Sequence, residues 1–268
     1  MNVDIVQTVI LFFAGFGSGL SVGIGSGTAA AVIIPAITIF TGQPIHKAIG
    51  TSLLVDSIIG ATAGLVFLKN KHVDLRSAAV LAVTAVVGAL IGSRFTTTAS
   101  ESGLNGFIAV ILIVLGLNFL LKGIQKNIAF VERNIDFSVL RRHTSLFLAV
   151  FGLCSGFLSG FSGLGVGAIV ALMLIFVLGY EIHTAIGTSL LLMVVIAGSG
   201  AVGHIFSGEF LVQVAVIAGS GAGLGGVIGS SFANRINAFL LGRVIGVIIL
   251  VFGIILLFRT FFSALVPF

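Results

Sequence analysis

The stretch HKAIGTSLL at residues 46–54 returns as HTAIGTSLL at residues 183–191. Each copy offers a histidine, His46 or His183, and then a Gly-Thr-Ser triplet: Gly50, Thr51 and Ser52, or Gly187, Thr188 and Ser189. Hydroxyls and backbone amides can hold an oxyanion by donated hydrogen bonds without introducing a fixed positive charge. The same hydroxyls can instead bond back to their own helix and do nothing else. The histidines can attract an anion or carry a proton, or they can be interfacial residues at a helix end. Lys47 stands beside His46, but Thr184 takes its place in the second copy, so no lysine is shared by both.

Glycine clusters precede both triplets. GIGSG (residues 23–27) carries Gly23, Gly25 and Gly27, and GLGVG (residues 163–167) carries Gly163, Gly165 and Gly167. Glycine lets a helix break and lets a ligand approach the backbone. A helix restarting after such a break presents unsatisfied N–H groups and a positive dipole end. Two such ends converging inside a membrane would make an anion site. The competing reading is close helix packing, for which glycine is equally suited. Asp56 lies in an otherwise uncharged stretch, where a carboxylate costs about 2.5–3.5 kcal/mol on insertion scales. It is a candidate proton carrier, or a partner for a buried donor such as His204. An ionised carboxylate disfavours a neighbouring anion, so the expectation places Asp56 outside the cradle. Met193 is its counterpart in the second copy.

Other chemistry is poorly supplied. GAGLGG at residues 221–226 fits a dinucleotide-binding string, but no strand precedes it and it reads as helix packing. The five histidines are scattered and Cys154 is alone, so neither a nucleophile–base pair nor a metal cluster is spelled out. The expectation is a protein that is no enzyme and needs no cofactor or metal.

The elements that must position these residues are membrane helices. Hydrophobic residues make up 58% of the chain and charged residues 8%, against about 25% charged in soluble domains. Residues 5–45, 77–93, 102–121, 144–180, 182–208, 210–234 and 244–258 contain no Asp, Glu, Lys or Arg. A bilayer crossing needs about 20 such residues. As one straight helix, 5–45 would be about 60 Å long, twice the hydrocarbon core. Two legs near 5–22 and 28–41 are expected instead, the second short enough to be re-entrant. Helices near 46–68, 74–93 and 102–121 follow. The basic balance fits cytoplasmic loops rather than nucleic acid, which has no basic soluble domain to bind it here.

The organisation is therefore all-α and polytopic, an integral membrane protein of two repeats, each of about four to five transmembrane or re-entrant helices. The first repeat is 1–121 and the second 144–268, joined by a charged connector at 122–143. The glycine clusters align at an offset of 140 while the triplets align at 137, a slip that a three-residue length difference would absorb. An odd number of crossings per repeat predicts that the second repeat is inverted. Lys69, Lys71, Arg76, Lys122, Lys126, Arg133, Arg141 and Arg142 place loops 69–76 and 122–142 in the cytoplasm, with Arg235 and Arg243 joining them on inversion.

Taken together, GIGSGTAAAVIIP (23–35) with HKAIGTSLL, and SGFSGLGVGAIV (159–170) with HTAIGTSLL, resemble the TauE/SafE sulfite exporter family, also called TSUP, over nearly the whole chain. The glycine run is thinned by Ser26 and Val166, and the second copy lacks a counterpart of Pro35. The resemblance implies a cell-membrane secondary transporter of small sulfur-containing anions: sulfite, sulfonates or related organic acids. The expected partners are that anion and the lipid bilayer, and a homo-oligomer is compatible with both. The alternatives are an anion channel and a membrane scaffold subunit without transport.

Overall fold

A computed structural model of the chain describes residues 4–74, 79–100 and 144–233, with scattered positions between 103 and 117 and between 247 and 258. The connector 122–143, half of the helix expected at 102–121, and Arg76, Arg235 and Arg243 lie outside the described residues.

Asp4 opens the first helix, α1 (Ile5–Gly25), with a capping box closed by Gln7. Beyond Gly25 the chain turns at Ser26, whose φ is +55°, and helix resumes as α2 (Ala30–Phe40). Pro44 precedes α3 (Ile45–Lys69), and α4 (Ala79–Thr96) follows. The second half repeats the series as α5 (Thr144–Ser162), α6 (Gly167–Leu178), α7 (Ile182–Phe206) and α8 (Val212–Phe232). Gly179, in the left-handed region, ends α6. Among the described residues there is no strand.

The repeat is more regular than expected. The helix ends Gly25 and Ser162, the starts Ala30 and Gly167, and both ends of α3 and α7 keep one offset, the 137 that separates Thr28 from Gly165. The slip to 140 is thus corrected. The breaks are residues 26–29 and 163–166, so Gly23 and Gly25 belong to α1 rather than to the break. Gly23 faces α8, where a Cβ would come within 2.6 Å of the Gly226 carbonyl.

Small residues decide which helices pair. Gly15, Gly19 and Gly23 on α1 meet Ala218, Ala222 and Gly226 on α8, while Gly221, Gly225 and Gly229 meet the α1 backbone in return. The second half mirrors this: Gly152, Gly156 and Gly160 of α5 lie on Leu81, Ala85 and Ala89 of α4. Each half therefore lends its first helix to the last described helix of the other. With no hydrophobic drive between helices in lipid, such close backbone contact supplies the association energy. Larger apolar side chains face outward, among them Phe13, Val83, Val150 and Val216, each more than half exposed. Among the described residues, six helices are long and apolar enough to cross a bilayer. The 11-residue α2 and 12-residue α6 are shorter, spanning about 16–18 Å, roughly half the hydrocarbon core. Gln7 Nε2 donates to the Phe40 carbonyl at 2.9 Å, so α2 returns towards the level at which α1 began.

Contacts between the halves come in reciprocal pairs, the mark of a local two-fold axis. Leu211 N donates to Thr51 Oγ1 at 3.1 Å, and Asp74 N donates to the equivalent Thr188 Oγ1 at 2.9 Å. Residues that touch their own counterparts lie at the axis. Gly165 N donates to Thr28 Oγ1 at 2.8 Å, and Ser57 Oγ donates to the Val194 carbonyl at 3.1 Å, each pair 137 positions apart. Along α3, Gly50 packs on His204, Gly60 on Leu190 and Val194, and Gly64 on Leu191. Rising positions on α3 meet falling positions on α7, so these two helices cross antiparallel. The axis runs across them at Ser57, the midpoint of 25-residue α3.

A Cβ at Gly156 would overlap the Ala85 carbonyl, whereas one at Gly17 would meet open space. Gly156→Val should therefore destabilise the fold by about 2–3 kcal/mol, and Gly17→Ala should be neutral or slightly stabilising. Thermal unfolding in detergent, followed by far-ultraviolet circular dichroism of the helices, checks both.

Candidate anion site

Both breaks arrive at the two-fold axis and satisfy one another there. The Thr28 hydroxyl is the centre of the arrangement. It accepts from Gly165 N across the axis and from Ala30 N at 3.0 Å, and it donates to Asp56 Oδ2 at 2.9 Å. Asp56 Oδ1 accepts from Ala29 N at 2.6 Å. Asp56 projects from the middle of α3, is fully buried, and also faces the Gly165 amide. The carboxylate therefore sits on the positive start of α2, where a side-chain anion is stabilised by amides and dipole together.

Three serines complete this packed polar junction, a chamber filled by its own side chains. Ser26 Oγ and Ser189 Oγ lie 3.0 Å apart, and Ser189 also donates to the Ile186 carbonyl at 2.8 Å. The reciprocal contact is Ser52, which donates to the Ile49 carbonyl at 2.8 Å and approaches the Gly163 carbonyl at 3.3 Å. Ser52 and Ser189 are fully buried. Gly163 takes a φ of +73° beside Ile49 and Ser52. A Cβ on Gly167, the first residue of α6, would come within 2.6 Å of Ser26 Oγ and 2.9 Å of the Gly27 carbonyl. A Cβ on Gly25 would meet open space, and one on Gly27 would make ordinary contact with Val22 Cγ2 at 3.8 Å.

Two expectations about Asp56 are overturned. It was placed outside the cradle, yet a Cβ on Gly165 would overlap its carboxylate. It was also offered His204 as a partner, yet His204 Nε2 bonds to the Gly160 carbonyl at 3.0 Å, and Asp56 takes Thr28 and Ala29 instead. The reason is geometric: the α2 start supplies donors closer to mid-helix than the far end of α7 can.

The two ends of the chamber differ. Where Asp56 caps α2, its counterpart Met193 presents sulfur, 3.2 Å from where a Gly167 Cβ would sit. The N-cap residues Ala29 and Val166 both lack a side-chain cap hydrogen bond of their own, so the Asp56 carboxylate is what sets the α2 start apart. The chamber is thus pre-filled by a carboxylate at one helix start and not at the other. An anion on the first amides of α6 would lie two residues from Gly165, within about 7 Å of that carboxylate. The two charges would repel by about 2 kcal/mol at an effective dielectric of 20.

The sequence candidates separate accordingly. Gly25, Gly27, Ser52, Asp56, Gly163, Gly165, Gly167 and Ser189 gather at the chamber or its rim. Gly50 lies against His204 and the Glu209 carbonyl, and Gly187 against Phe67 and the His72 carbonyl. Thr51 and Thr188 hold the α7–α8 and α3–α4 connections. His46 Nε2 lies 3.1 Å from the Ala99 carbonyl, and the His183 ring is 5.4 Å from that of His72. These histidines sit at helix starts, about 15 Å along α3 or α7 from Asp56 and Met193. Sequence reasoning missed Ser26, Thr28 and the Ala29 amide. Applying the constant offset to the breaks would have paired Thr28 with Gly165. A separate cavity of about 500 Å³ opens at the ends of α4 and α7, lined by Arg94, Thr97, Phe206 and Ser207 among others.

Comparison with known proteins agrees with this architecture. The sulfite exporter TauE/SafE family matches residues 9–256, and the chain belongs to that family. Among its relatives are two Bacillus subtilis proteins described as probable membrane transporter proteins. YunE is 25% identical over 97% of this chain and 100% of its own length, and YdhB is 24% identical over 93% and 98%. A probable membrane transporter protein of Xylella fastidiosa strain 9a5c is 29% identical over 93% of both chains. No solved structure matches. The protein is a multi-pass membrane transporter, not an enzyme.

Thr28→Val keeps the shape of the side chain but deprives Asp56 of a donor and two amides of an acceptor. It should destabilise the protein by about 2–4 kcal/mol, because buried polar groups are left unpaired. Thr28→Ser should cost less than about 1 kcal/mol, since the hydroxyl is kept. Unfolding in detergent, monitored for both variants, tests the ordering.

Proposed function

We propose that this chain is a secondary transporter that moves small sulfur-containing anions, such as sulfite, sulfonates or related organic acids, across the cell membrane by alternating access. The observation that carries the reading is the meeting of two broken helices at one buried, donor-rich chamber on a local two-fold axis. In transporters built this way, the site lies at the interface of the repeats near mid-membrane, and half-helix starts point at the anionic group.

The reading takes the two halves as inverted. The antiparallel crossing of α3 and α7 supports this, because a two-fold axis across membrane helices reverses their direction. Such an axis lies in the membrane plane, so Thr28, Gly165 and Ser57 sit at its depth. Exchanging the conformations of the two halves then opens the same chamber first to one side and then to the other.

The anion is assigned to the α6 end of the chamber, where Met193 leaves the helix start without a carboxylate. Its oxygens take the amides of Val166 and Gly167 and the hydroxyls of Ser26, Ser52 and Ser189. Donated hydrogen bonds from amides and hydroxyls suit the oxygens of a small oxyanion. Gly163, Gly165, Gly25 and Gly27 keep the backbone approachable. Gly23, Gly50, Thr51, Gly187 and Thr188 act indirectly, by holding the helices and connections that carry the breaks.

Purified protein in proteoliposomes should take up a labelled sulfur oxyanion saturably, and unlabelled anion on the far side should accelerate it. A panel of sulfite, sulfate, thiosulfate, a short sulfonate and a carboxylate ranks the substrates. Ser52→Ala and Ser189→Ala should each raise KM about tenfold, the loss of roughly one hydrogen bond to a charged group. Flux without trans-acceleration would mark a channel, and no flux from folded protein would mark a scaffold subunit.

A further inference from the structure

The chamber contains a carboxyl group of its own, Asp56, and its charge state bears on what drives the transport proposed above. Asp56 is buried, accepts from Ala29 N and the Thr28 hydroxyl, and faces the Gly165 amide. All of these partners are neutral donors, and no charged group among the described residues acts on the carboxylate. Among the described residues its hydrogen-bonding neighbours carry no other titratable group, and α7, which packs on α3, carries His183 at its start and His204 near its end. The first break brings Thr28 and Ala29, the second Gly165, and the equivalent position on α7 is Met193. His204, the other buried titratable side chain, is engaged by Gly160.

We propose that Asp56 is a tethered anion that must take up a proton before the transported anion can occupy the chamber, so that one proton accompanies each anion. The carboxylate cannot leave, because it is fixed to the middle of α3 and bonded at the axis. An incoming anion within about 7 Å meets its full charge in a water-poor chamber. Neutralising Asp56 removes that repulsion while its oxygens remain able to accept from Ala29 N and Thr28. The proton adds to a carboxylate oxygen from water on the side to which the chamber is open. It returns to water on the other side after the anion has left, and no other bond forms or breaks. The asymmetry between Asp56 and Met193 then has a purpose: one helix start holds the proton-carrying charge and the other holds the cargo. The inference rests on the transport reading.

The test uses the whole protein in proteoliposomes with thiosulfate and methanesulfonate. Both anions are fully ionised near neutral pH, so neither can carry the proton itself. In the wild type, anion uptake should move protons in the same direction, read by a trapped pH dye, and KM should rise about tenfold per pH unit once Asp56 is ionised. Asp56→Asn removes the charge and keeps one oxygen acceptor, enough for Ala29 N, while giving up the oxygen to which Thr28 donates. It should show a KM that no longer varies with pH, and an imposed proton gradient should no longer concentrate the anion. Asp56→Met, which copies the second half, should behave alike if it folds. Proton-driven accumulation or an unchanged pH profile in Asp56→Asn would overturn the proposal. So would a folded Asp56→Asn protein that has lost anion exchange altogether, because that result makes Asp56 a structural requirement. Absence of exchange in the wild type would instead overturn the transport reading, and the coupling with it.

Discussion

The structure depends on the Thr28 hydroxyl, because it closes the backbone hydrogen bonding of two interrupted helices at a depth where water is scarce. An unsatisfied amide in hydrocarbon costs several kcal/mol. One broken helix would carry that penalty alone. Two broken helices related by a two-fold axis can remove much of it by pairing at the axis, as Thr28 does with Gly165. The duplication of the chain is therefore more than a doubling of helices. It supplies each interruption with its complement.

The rest of the helix arrangement follows from bringing the breaks together. The glycine faces of α1 with α8 and of α4 with α5 tie each half to the other on the outside. Inside, α3 and α7 cross at their midpoints and place Asp56 beside the first break and Met193 beside the second. Symmetry brings the two breaks together, and one departure from symmetry, Asp56 against Met193, sets the two ends of the chamber apart. Dense backbone contact also favours discrete arrangements over gradual deformation, since packed interfaces shift between states rather than stretch.

Much of this was legible in the sequence. The uncharged runs marked the described helices of the first half to within about five residues, and the nine-residue repeat falls on the starts of α3 and α7. The break itself was less legible. Glycine density drew attention to Gly23 and Gly25, which lie in α1, while the interruption falls on Ser26, a non-glycine residue with φ of +55°. The Gly-Thr-Ser triplets looked like a single motif. On a helix, consecutive side chains point about 100° apart, so three in a row cannot face one site. Gly50 and Thr51 face the α7 end and the α7–α8 connection, and only Ser52 reaches the opposite break. The placement of Asp56 was misjudged for a related reason. Its partners are a backbone amide and a hydroxyl from distant parts of the chain, and residue type alone carries no sign of them.

The central claim is that the chamber on the axis is reached from both sides of the membrane in turn. Ser189→Cys, made in a Cys154→Ala background that removes the exposed native thiol, reports on this with a membrane-impermeant thiol reagent. Labelling is compared in sealed vesicles of right-side-out and inside-out orientation. The account predicts reaction from both faces, never from both at once in a single molecule, and slower reaction when saturating anion holds the chamber closed. Reaction from one face only, in protein that carries out anion exchange, would contradict it.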